Sequence, residues 1–276
     1  MKKACVIGWP IEHSRSPLIH NHWLDRYGIE GAYEKRAVAP EELEQFLRTM
    51  PEAGWVGCNV TVPHKEKAFG LVETDDPFTR RLGAVNTVYL RDGRLHGTNT
   101  DGIGFVRNLQ ARAPQWQACG GPAVVLGAGG AARAVVAALI DAGVPEVRIV
   151  NRTEERARTL AGMFGTAVSA HDWMQRADLL SDCPLLVNTT TLGMTGAPRL
   201  DLELGRLAPD AVVYDIVYAP LETDLLARAR DRGNPVVDGL GMLLHQAAPG
   251  FALWFGVEPE VTDALRALIV ADLEAA

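Results

Sequence analysis

One glycine-containing stretch, Ala123 to Arg133, constrains the fold of this chain more than any other; it reads AVVLGAGGAAR. A short apolar run leads into glycines and then into small residues that favour a helix, so the stretch predicts a strand, a tight turn and a helix. Gly127, Gly129 and Ala132 have the G-x-G-x-x-G/A spacing of turns that bind a dinucleotide pyrophosphate at a helix N-terminus. The same spacing also fits a close-packed turn that binds no ligand.

The residues after the next predicted strand favour a dinucleotide that carries a 2′-phosphate. NAD-binding units place an acid about 20 residues beyond the glycines, where it holds the ribose 2′-hydroxyl. At the comparable place, about 24 residues beyond Gly127, this chain has Asn151, Arg152 and Thr153, followed by Arg156. Arginine forms paired hydrogen bonds to a phosphate that a carboxylate would repel. We therefore predict NADP(H) rather than NAD(H); the alternative is an ordinary solvated helix face.

Composition and charge exclude several classes of protein. The 276 residues are 47% hydrophobic and 22% charged, which is typical of a globular chain of one or two domains. The net charge of −7 argues against general nucleic-acid binding. The N-terminal apolar run is too short for a signal peptide and no uncharged run could span a bilayer, so we predict a cytoplasmic protein without membrane association. The absence of a C-x-x-C pair indicates buried free thiols rather than a metal site or disulfides at Cys5, Cys58, Cys119 and Cys183.

Strand-like and helix-like segments alternate along the chain, which predicts an α/β fold with mostly parallel, covered sheets. A hairpin is predicted where Asp92-Gly93 joins residues 84–90 to 95–98. The other predicted strands are residues 4–7, 33–38, 56–62, 124–126, 147–150, 185–188, 211–215 and 235–237. Helices are predicted at residues 18–27 (with Ser16 as N-cap), 40–50, 66–72, 99–113, 131–139, 223–232, 242–248 and 263–273.

Polar residues at predicted strand ends and helix starts are candidate ligand-binding groups, since ligands collect there in open α/β sheets. Alternation along one strand puts Asn59, Thr61 and Pro63 on the same face, and Lys65 follows the end of that strand. A lysine in such a place is usually a solvated surface charge. Such a lysine indicates a catalytic role only where the side chain of an acid lies close to it.

Four further residues have both a structural and a functional interpretation. Ser14 and Ser16 can hold a carboxylate or cap a helix, and Asp101 can act chemically or serve as an N-cap. Asn86 lies in an otherwise apolar segment and therefore needs hydrogen-bond partners, which a structural network or a ligand hydroxyl can supply. Gln246 by itself indicates neither a structural nor a functional role.

Seven ordered motifs resemble the shikimate dehydrogenase family and together span nearly the whole chain. They are HSRSP (His13 to Pro17), NVTVPHK (Asn59 to Lys65), GAVNT (Gly83 to Thr87), NTDG (Asn99 to Gly102), GAGGA (Gly127 to Ala131), NRT (Asn151 to Thr153) and DGLGMLLHQ (Asp238 to Gln246). The resemblance implies two α/β domains with a cleft between them. A discontinuous substrate domain with a mostly parallel sheet would take residues 1–103 plus 239–276, and a Rossmann-type NADP domain would take residues 104–238.

The resemblance also implies an activity, namely the reversible NADPH-dependent reduction of 3-dehydroshikimate to shikimate in the biosynthesis of chorismate and aromatic amino acids. It implies no metal. The substrate carboxylate would be held by Ser14, Ser16 and Tyr218, and the ring hydroxyls and reacting oxygen by Thr61, Lys65, Asn86, Asp101 and Gln246. The dinucleotide would be bound by Gly127, Ala128, Gly129, Gly130, Ala131, Asn151, Arg152, Thr153 and Arg156, with Ile216 and Gly239 at its nicotinamide end.

Lys65 and Asp101 are the predicted catalytic pair, because a developing alkoxide needs a proton and a nearby positive charge, and an acid can orient the ammonium. Alternative functions are a relative that acts on quinate or an aminated analogue, and a non-catalytic NADP-binding sensor, which would not need this pair. His64 replaces an aromatic residue of many family members, and we predict a packing or surface role for it. The acid that many members carry in the helix after the lysine is not placed, since Asp75 and Asp76 precede Pro77. We predict a monomer or homodimer.

Overall fold

A computed structural model describes residues 1–275, apart from the side chain of Cys119. The chain divides into two compact units, Met1–Thr100 with Leu244–Ala276, and Asp101–Leu243. The domain bounds expected from the family resemblance stay a prediction. Cys5, Cys58 and Cys183 are free and buried, as predicted, whereas the thiol of Cys119 lies outside the described residues.

The first unit opens with alternating strands and helices and continues into a hairpin. Its elements up to Thr100 are β1 (Lys2–Gly8), α1 (Ser16–Tyr27), β2 (Gly31–Ala37), α2 (Leu43–Thr49), β3 (Trp55–Val60), α3 (Lys65–Phe69), α4 (Pro77–Leu82), β4 (Thr87–Arg91) and β5 (Arg94–Thr98). The sheet order is β2-β1-β3-β4-β5. The β2-β1-β3 strands are parallel, and the β4-β5 hairpin adds to β3 in antiparallel fashion. Covering on both faces explains why the last five residues of β1 are all buried.

Helix α4 was not predicted, and the residue that starts it resolves part of the uncertainty about Asp75 and Asp76. The Asp76 side chain caps α4 by accepting hydrogen bonds from Phe78 N and Thr79 N, both at 3.1 Å, and Pro77 occupies the first helical turn. This is the ordinary chemistry of a helix start. Asp76 therefore has a structural role, and the Asp-Pro pair was the signal for it.

The second unit contains a wholly parallel sheet built from one unbroken segment. Its elements are α5 (Asp101–Arg112), β6 (Ala123–Leu126), α6 (Gly130–Asp141), β7 (Val147–Asn151), α7 (Glu154–Gly162), β8 (Val168–Asp172), β9 (Leu185–Asn188), β10 (Val212–Asp215), α8 (Asp224–Asp231) and β11 (Val236–Val237). The sheet order is β11-β10-β9-β6-β7-β8. This is the strand order of doubly wound dinucleotide-binding sheets, in which ligands bind where the order reverses, here between β6 and β9.

Two helices complete the chain, α9 (Leu240–Phe255) and α10 (Asp263–Ala275). From Leu244 onward they belong to the first unit. Trp254 of α9 is buried, and its Nε1 donates a 2.9 Å hydrogen bond to the carbonyl of Val88 in β4. Of the helices within residues 1–275, none combines the length and apolar character needed to cross a membrane.

The approach of Trp254 to the sheet requires a glycine in β3. A Cβ atom at Gly57 would lie 2.0 Å from Nε1 of Trp254 and 2.3 Å from the carbonyl oxygen of Val88. We therefore expect Gly57→Ala to lower the free energy of unfolding by about 2–3 kcal/mol, the cost of overpacking a well-filled core. Urea unfolding followed by circular dichroism measures this change.

A glycine with ordinary surroundings provides the matched control. A Cβ atom at Gly70 would meet its nearest neighbour, the Lys67 carbonyl oxygen, at 3.6 Å, and the backbone there is right-handed. Gly70→Ala should change the unfolding free energy by less than about 0.5 kcal/mol. Equal losses in the two variants would contradict the role assigned to Gly57.

Candidate functional site

The carboxyl edge of the first sheet gathers the polar segments predicted from the sequence. Strands β1 and β3 are parallel neighbours, so the segments that follow them leave the sheet at the same edge. Two hydrogen bonds join these segments: Thr61 N donates to Ile7 O at 3.0 Å, and Trp9 N donates to Val62 O at 3.1 Å. The sheet therefore brings to one edge the segments that carry Ser14, Ser16, Thr61 and Lys65.

The two serines lie at the start of α1, and Ser16 is not in the position predicted for it. Ser16 is the first helical residue and Arg15 occupies the cap position, so the prediction of Ser16 as N-cap was wrong. The Ser14 hydroxyl accepts a hydrogen bond from Ser16 N at 3.3 Å, and Arg15 is turned toward Asp272 of α10, with 2.8 Å between Nε and Oδ2. A helix N-terminus with two hydroxyls can hold a carboxylate.

Lys65 is the first residue of α3 and is held by its backbone. Its carbonyl oxygen accepts a hydrogen bond from Val85 N at 2.9 Å, which joins the exit of β3 to the segment before β4. The preceding residue, His64, is buried, and its Nε2 lies 2.8 Å from the carbonyl oxygen of Val38. Because a carbonyl only accepts, Nε2 carries the proton. His64 therefore packs inside the unit, and the half-buried Lys65 side chain leaves from a fixed backbone.

Asn86 links three parts of the first unit through its side chain. It lies one residue before β4 rather than inside a strand, and it is 3% exposed. Its Oδ1 accepts from Thr100 N at 2.9 Å, and its Nδ2 donates to Thr100 Oγ1 at 3.1 Å. The same Nδ2 lies 3.4 Å from Oε1 of Gln246, whose carbonyl oxygen accepts from Thr100 Oγ1 at 2.8 Å. The fold thus joins two predicted site residues that are 160 positions apart in the chain.

Beneath this edge lies a buried amide, Asn59, which the sequence places on one face with Thr61 but to which no role was assigned. Nδ2 of Asn59 donates to the carbonyl oxygen of Asn86 and to Oγ1 of Thr87, both at 3.2 Å, while its Oδ1 accepts from the Tyr33 hydroxyl. Burial raises the pKa of Tyr33 well above its usual value, and the hydroxyl of Ser16 opposes that shift. The polar side chain of Asn59 inside an apolar strand was the available signal.

In the second unit, the glycine turn has the geometry predicted for a phosphate site. Gly127 has a φ of +108°, and a Cβ atom there would lie 2.7 Å from Thr189 Oγ1, so both backbone and space require glycine. A Cβ atom at Gly129 or Gly130 would meet nothing in the described chain within 4 Å. Helix α6 begins at Gly130 without a side-chain cap from any described residue. Its first N–H groups, which lack partners within the helix, can therefore bind a pyrophosphate alongside Ala128 and Ala131.

The end of β7 carries the two arginines predicted to bind a 2′-phosphate. Asn151 is the last residue of the strand and donates through Nδ2 to the Thr153 carbonyl oxygen at 2.8 Å. Arg152 and Arg156 are exposed beside the start of α7. Glu154 is paired with Arg158, with 2.7 Å between the nearest atoms. Two guanidinium groups next to the glycine-turn strand suit a phosphate, so these residues could hold the 2′-phosphate of NADP(H).

Close packing between Gly239 and the residues after β10 fixes the position of the segment that is expected at the nicotinamide end. Gly239 N donates to the Val217 carbonyl oxygen at 3.2 Å, and a Cβ atom at Gly239 would lie 2.0 Å from the carbonyl oxygen of Ile216. Only glycine allows these two segments to touch. Ile216 and Tyr218 follow β10 directly, and both are half-buried.

Asp101 begins helix α5 and is 8% exposed. Further along α5, Nδ2 of Asn108 donates to the Tyr214 hydroxyl at 2.7 Å and to the Asp238 carbonyl oxygen at 2.8 Å, which fixes the helix within the second unit. Asp101 therefore projects from a well-anchored helix. Among the described side chains of residues 1–275, which do not include that of Cys119, no group of three or more His, Cys, Asp or Glu has an arrangement suited to a metal ion.

Three family sequence models match successive parts of the chain. The model described as the shikimate dehydrogenase substrate binding domain matches residues 6–88. The model described as shikimate / quinate 5-dehydrogenase matches residues 112–193, and that of the shikimate 5′-dehydrogenase C-terminal domain matches residues 239–269.

Curated relatives match both units at high identity. The shikimate dehydrogenase (NADP(+)) of Paramagnetospirillum magneticum is 60% identical over 269 residues, which are 97% of this chain and 98% of that protein. The shikimate dehydrogenase (NADP(+)) of Rhodospirillum rubrum is 57% identical over 272 residues, 97% of this chain and 96% of that protein.

Solved structures with the same fold include enzymes with different substrates and cofactors. The shikimate 5-dehydrogenase of Thermus thermophilus, in complex with NADP(H) and shikimate, has a TM-score of 0.87 at 37% identity, covering 98% of this chain and 100% of that chain. The quinate dehydrogenase of Corynebacterium glutamicum, in complex with NAD, has a TM-score of 0.91 at 30% identity with the same coverage.

Proposed function

Because this chain belongs to the shikimate dehydrogenase family, we propose that it is an NADP-dependent oxidoreductase that catalyses the reversible reduction of 3-dehydroshikimate to shikimate in the biosynthesis of aromatic amino acids. The observation that carries the proposal is that one chain contains both required parts. The first unit has an edge of hydroxyl, amide and ammonium groups suited to a small hydroxylated acid. The second unit has a glycine turn and two arginines suited to NADP(H).

The substrate is held by neutral and charged groups with separate tasks. Ser14 and Ser16, at the start of α1, bind the carboxylate together with Tyr218. Thr61, Asn86 and Gln246 hydrogen-bond the ring hydroxyls, and Asp101 accepts a hydrogen bond from one of them. Thr100 holds the Asn86 side chain and Asn59 holds its backbone carbonyl oxygen, so Asn86 has a fixed position from which it can exchange one of its present partners for a ring hydroxyl.

Lys65 performs the proton chemistry. When bound, NADPH supplies the hydride to the carbonyl carbon, and the carbonyl oxygen gains negative charge. Nζ of Lys65 stabilises that charge and donates a proton to the oxygen, which becomes the new hydroxyl; in the reverse direction Nζ removes the proton. Lys65 is the first residue of α3 and its carbonyl oxygen accepts from Val85 N, so its side chain leaves from a fixed backbone position.

The cofactor site favours NADP(H) through Arg152 and Arg156. Their exposed guanidinium groups bind the 2′-phosphate, while the N–H groups at the start of α6 bind the pyrophosphate. Ile216 and Gly239 line the nicotinamide end. A cytoplasmic location, a monomeric or homodimeric state and the lack of nucleic-acid binding stay predictions.

The test is the nicotinamide absorbance change with four mixtures: shikimate or quinate, each with NADP+ or NAD+. We expect NADPH to form from shikimate and NADP+ at a kcat/KM at least about tenfold above the other three, a discrimination typical of one changed contact. Faster oxidation of quinate would replace the proposed substrate. Binding of NADPH without turnover of any mixture would favour a non-catalytic sensor.

A further inference from the structure

A buried carboxylate in the second unit has no role in the chemistry described so far. Asp215 ends β10 and is fully buried. It accepts hydrogen bonds from Asn188 Nδ2 and Val217 N, both at 3.0 Å, and from Thr223 Oγ1 at 2.7 Å. These three donors are neutral, and burial raises the pKa of Asp215 to about 6 against their opposing effect. Because burying a carboxylate away from water costs free energy, a functional role would explain its presence here.

The first partner, Asn188, carries the effect of Asp215 toward the glycine turn. Asn188 lies opposite Asp215 on one side and opposite Leu126 on the other. Its Oδ1 accepts from Thr190 N at 3.0 Å, and its Nδ2 also donates to the Leu192 carbonyl oxygen at 3.2 Å. Thr189, which directly follows Asn188, donates through Oγ1 to the Leu126 carbonyl oxygen at 2.7 Å. Loop 189–192 is thereby fixed against the strand that leads into Gly127.

The other two partners close the loop that carries Ile216 and Tyr218. Val217 N binds Asp215 at the start of this loop, and Thr223 binds it at the end, where Thr223 also caps α8 by accepting from Leu226 N at 3.3 Å. The carbonyl oxygen of Val217 then accepts from Gly239 N. One carboxylate thus holds both ends of loop 216–223, and through Val217 the segment at Gly239.

We propose that Asp215 is a positioning residue that fixes loops 189–192 and 216–223, and thereby the nicotinamide end of the dinucleotide site and the backbone of Tyr218. The proposal rests on the proposed function. Loop 189–192 leaves the sheet at the point where its strand order reverses, which is where a doubly wound sheet binds its ligand, and loop 216–223 leaves the neighbouring parallel strand at the same edge. Displacing groups there by about 1 Å slows a reaction strongly, even when the displaced groups do not react.

Asp215→Asn tests the proposal with little change in shape. The variant keeps one oxygen to accept from Asn188 and Val217, and its new NH2 group faces the Thr223 oxygen. We expect kcat for shikimate oxidation to fall roughly 10- to 100-fold, with an increased primary deuterium isotope effect on hydride transfer. Affinity for adenosine 2′,5′-bisphosphate, which lacks the nicotinamide, should stay unchanged. The matched control is Asp224→Asn on the neighbouring helix, where Asp224 pairs with Arg228; its kinetics should equal those of the unchanged enzyme.

Each result decides the question. Normal kcat and isotope effect in folded Asp215→Asn would overturn the proposal, and so would a parallel loss of adenosine bisphosphate affinity, which indicates general unfolding. Should Asp215→Asn fail to fold, Thr223→Val removes one donor, and an unchanged isotope effect there would overturn it. Should the unchanged enzyme fail to oxidise shikimate, the proposed function falls by itself. The ratio of NADP+ affinity to adenosine bisphosphate affinity then tests the positioning role, because Asp215→Asn should lower that ratio.

Discussion

Lys65→Ala is expected to lower kcat for shikimate oxidation by about a thousandfold while the Kd for NADP+ stays within about twofold. The variant loses both the proton-transfer group and the positive charge beside the developing alkoxide, and general acid–base groups commonly supply factors of 10² to 10⁴. The proposed residues for the dinucleotide lie in the other unit of the chain and do not include this side chain. Steady-state kinetics at saturating shikimate, together with a fluorescence titration of cofactor binding, measure the two quantities.

The structure provides a control on the same helix. Lys67 is exposed and donates through Nζ to the Pro40 carbonyl oxygen at 2.8 Å, so Lys67→Ala removes an equivalent side chain without touching the proposed chemistry. Its kcat should remain near that of the unchanged enzyme. The contact between Lys65 and Val85 uses the Lys65 backbone and survives in Lys65→Ala. A nearly normal rate in Lys65→Ala would exclude Lys65 from the mechanism, and equal losses in both variants would instead indicate damage to α3.

Arg152→Asp is expected to lower the ratio of kcat/KM with NADP+ to kcat/KM with NAD+ by about a thousandfold. The loss of a charge-assisted pair with the 2′-phosphate accounts for part of the change, and repulsion by the new carboxylate adds to it. The carboxylate can also accept hydrogen bonds from the free 2′-hydroxyl of NAD+, as the acid of NAD-binding units does. Measurement of both cofactors at fixed shikimate gives the ratio directly.

Arg158 on the same helix serves as the control for this change. It is exposed and paired with Glu154, so Arg158→Ala should leave the cofactor ratio unchanged. Equal losses of kcat/KM with NADP+ and with NAD+ in Arg152→Asp would contradict the assignment of the 2′-phosphate site. They would show that Arg152 stabilises the fold or binds a part that the two cofactors share.

Local rules were sufficient where one short segment determines its own structure. The glycine turn predicted a strand, a turn and a helix, and β6 and α6 lie where expected, since the positive φ of Gly127 and the helix start after it follow from the glycine pattern itself. The bounds of β9 also agree with the prediction, because an uninterrupted apolar run indicates a covered parallel strand. By contrast, β8 was not predicted, since four of its five residues are not buried and it lacks the apolar pattern.

Non-local contacts determine the roles of Asn86 and Asp215. The sequence indicated that Asn86 needs partners, but Thr100 and Gln246 become its partners only once the hairpin and α9 have packed. Ser16 has an ordinary capping sequence, yet the backbone of Arg15 takes the cap position. Asp215 ends an apolar strand, and nothing in the sequence marks its role, because that role depends on β10 pairing with β9. Pattern and propensity do not encode which strands become neighbours.

The contact between Asn86 and Gln246 has a consequence for how the protein is made. The second sheet comes from one continuous stretch, so a growing polypeptide can pair its strands without the segments that follow it. The polar edge of the first sheet is completed later, because Gln246, which contacts Asn86, follows the whole second sheet in the chain. A nascent chain from which α9 has not yet emerged would therefore be able to pair the strands of the nucleotide-type sheet while it still lacks the contact between Gln246 and Asn86.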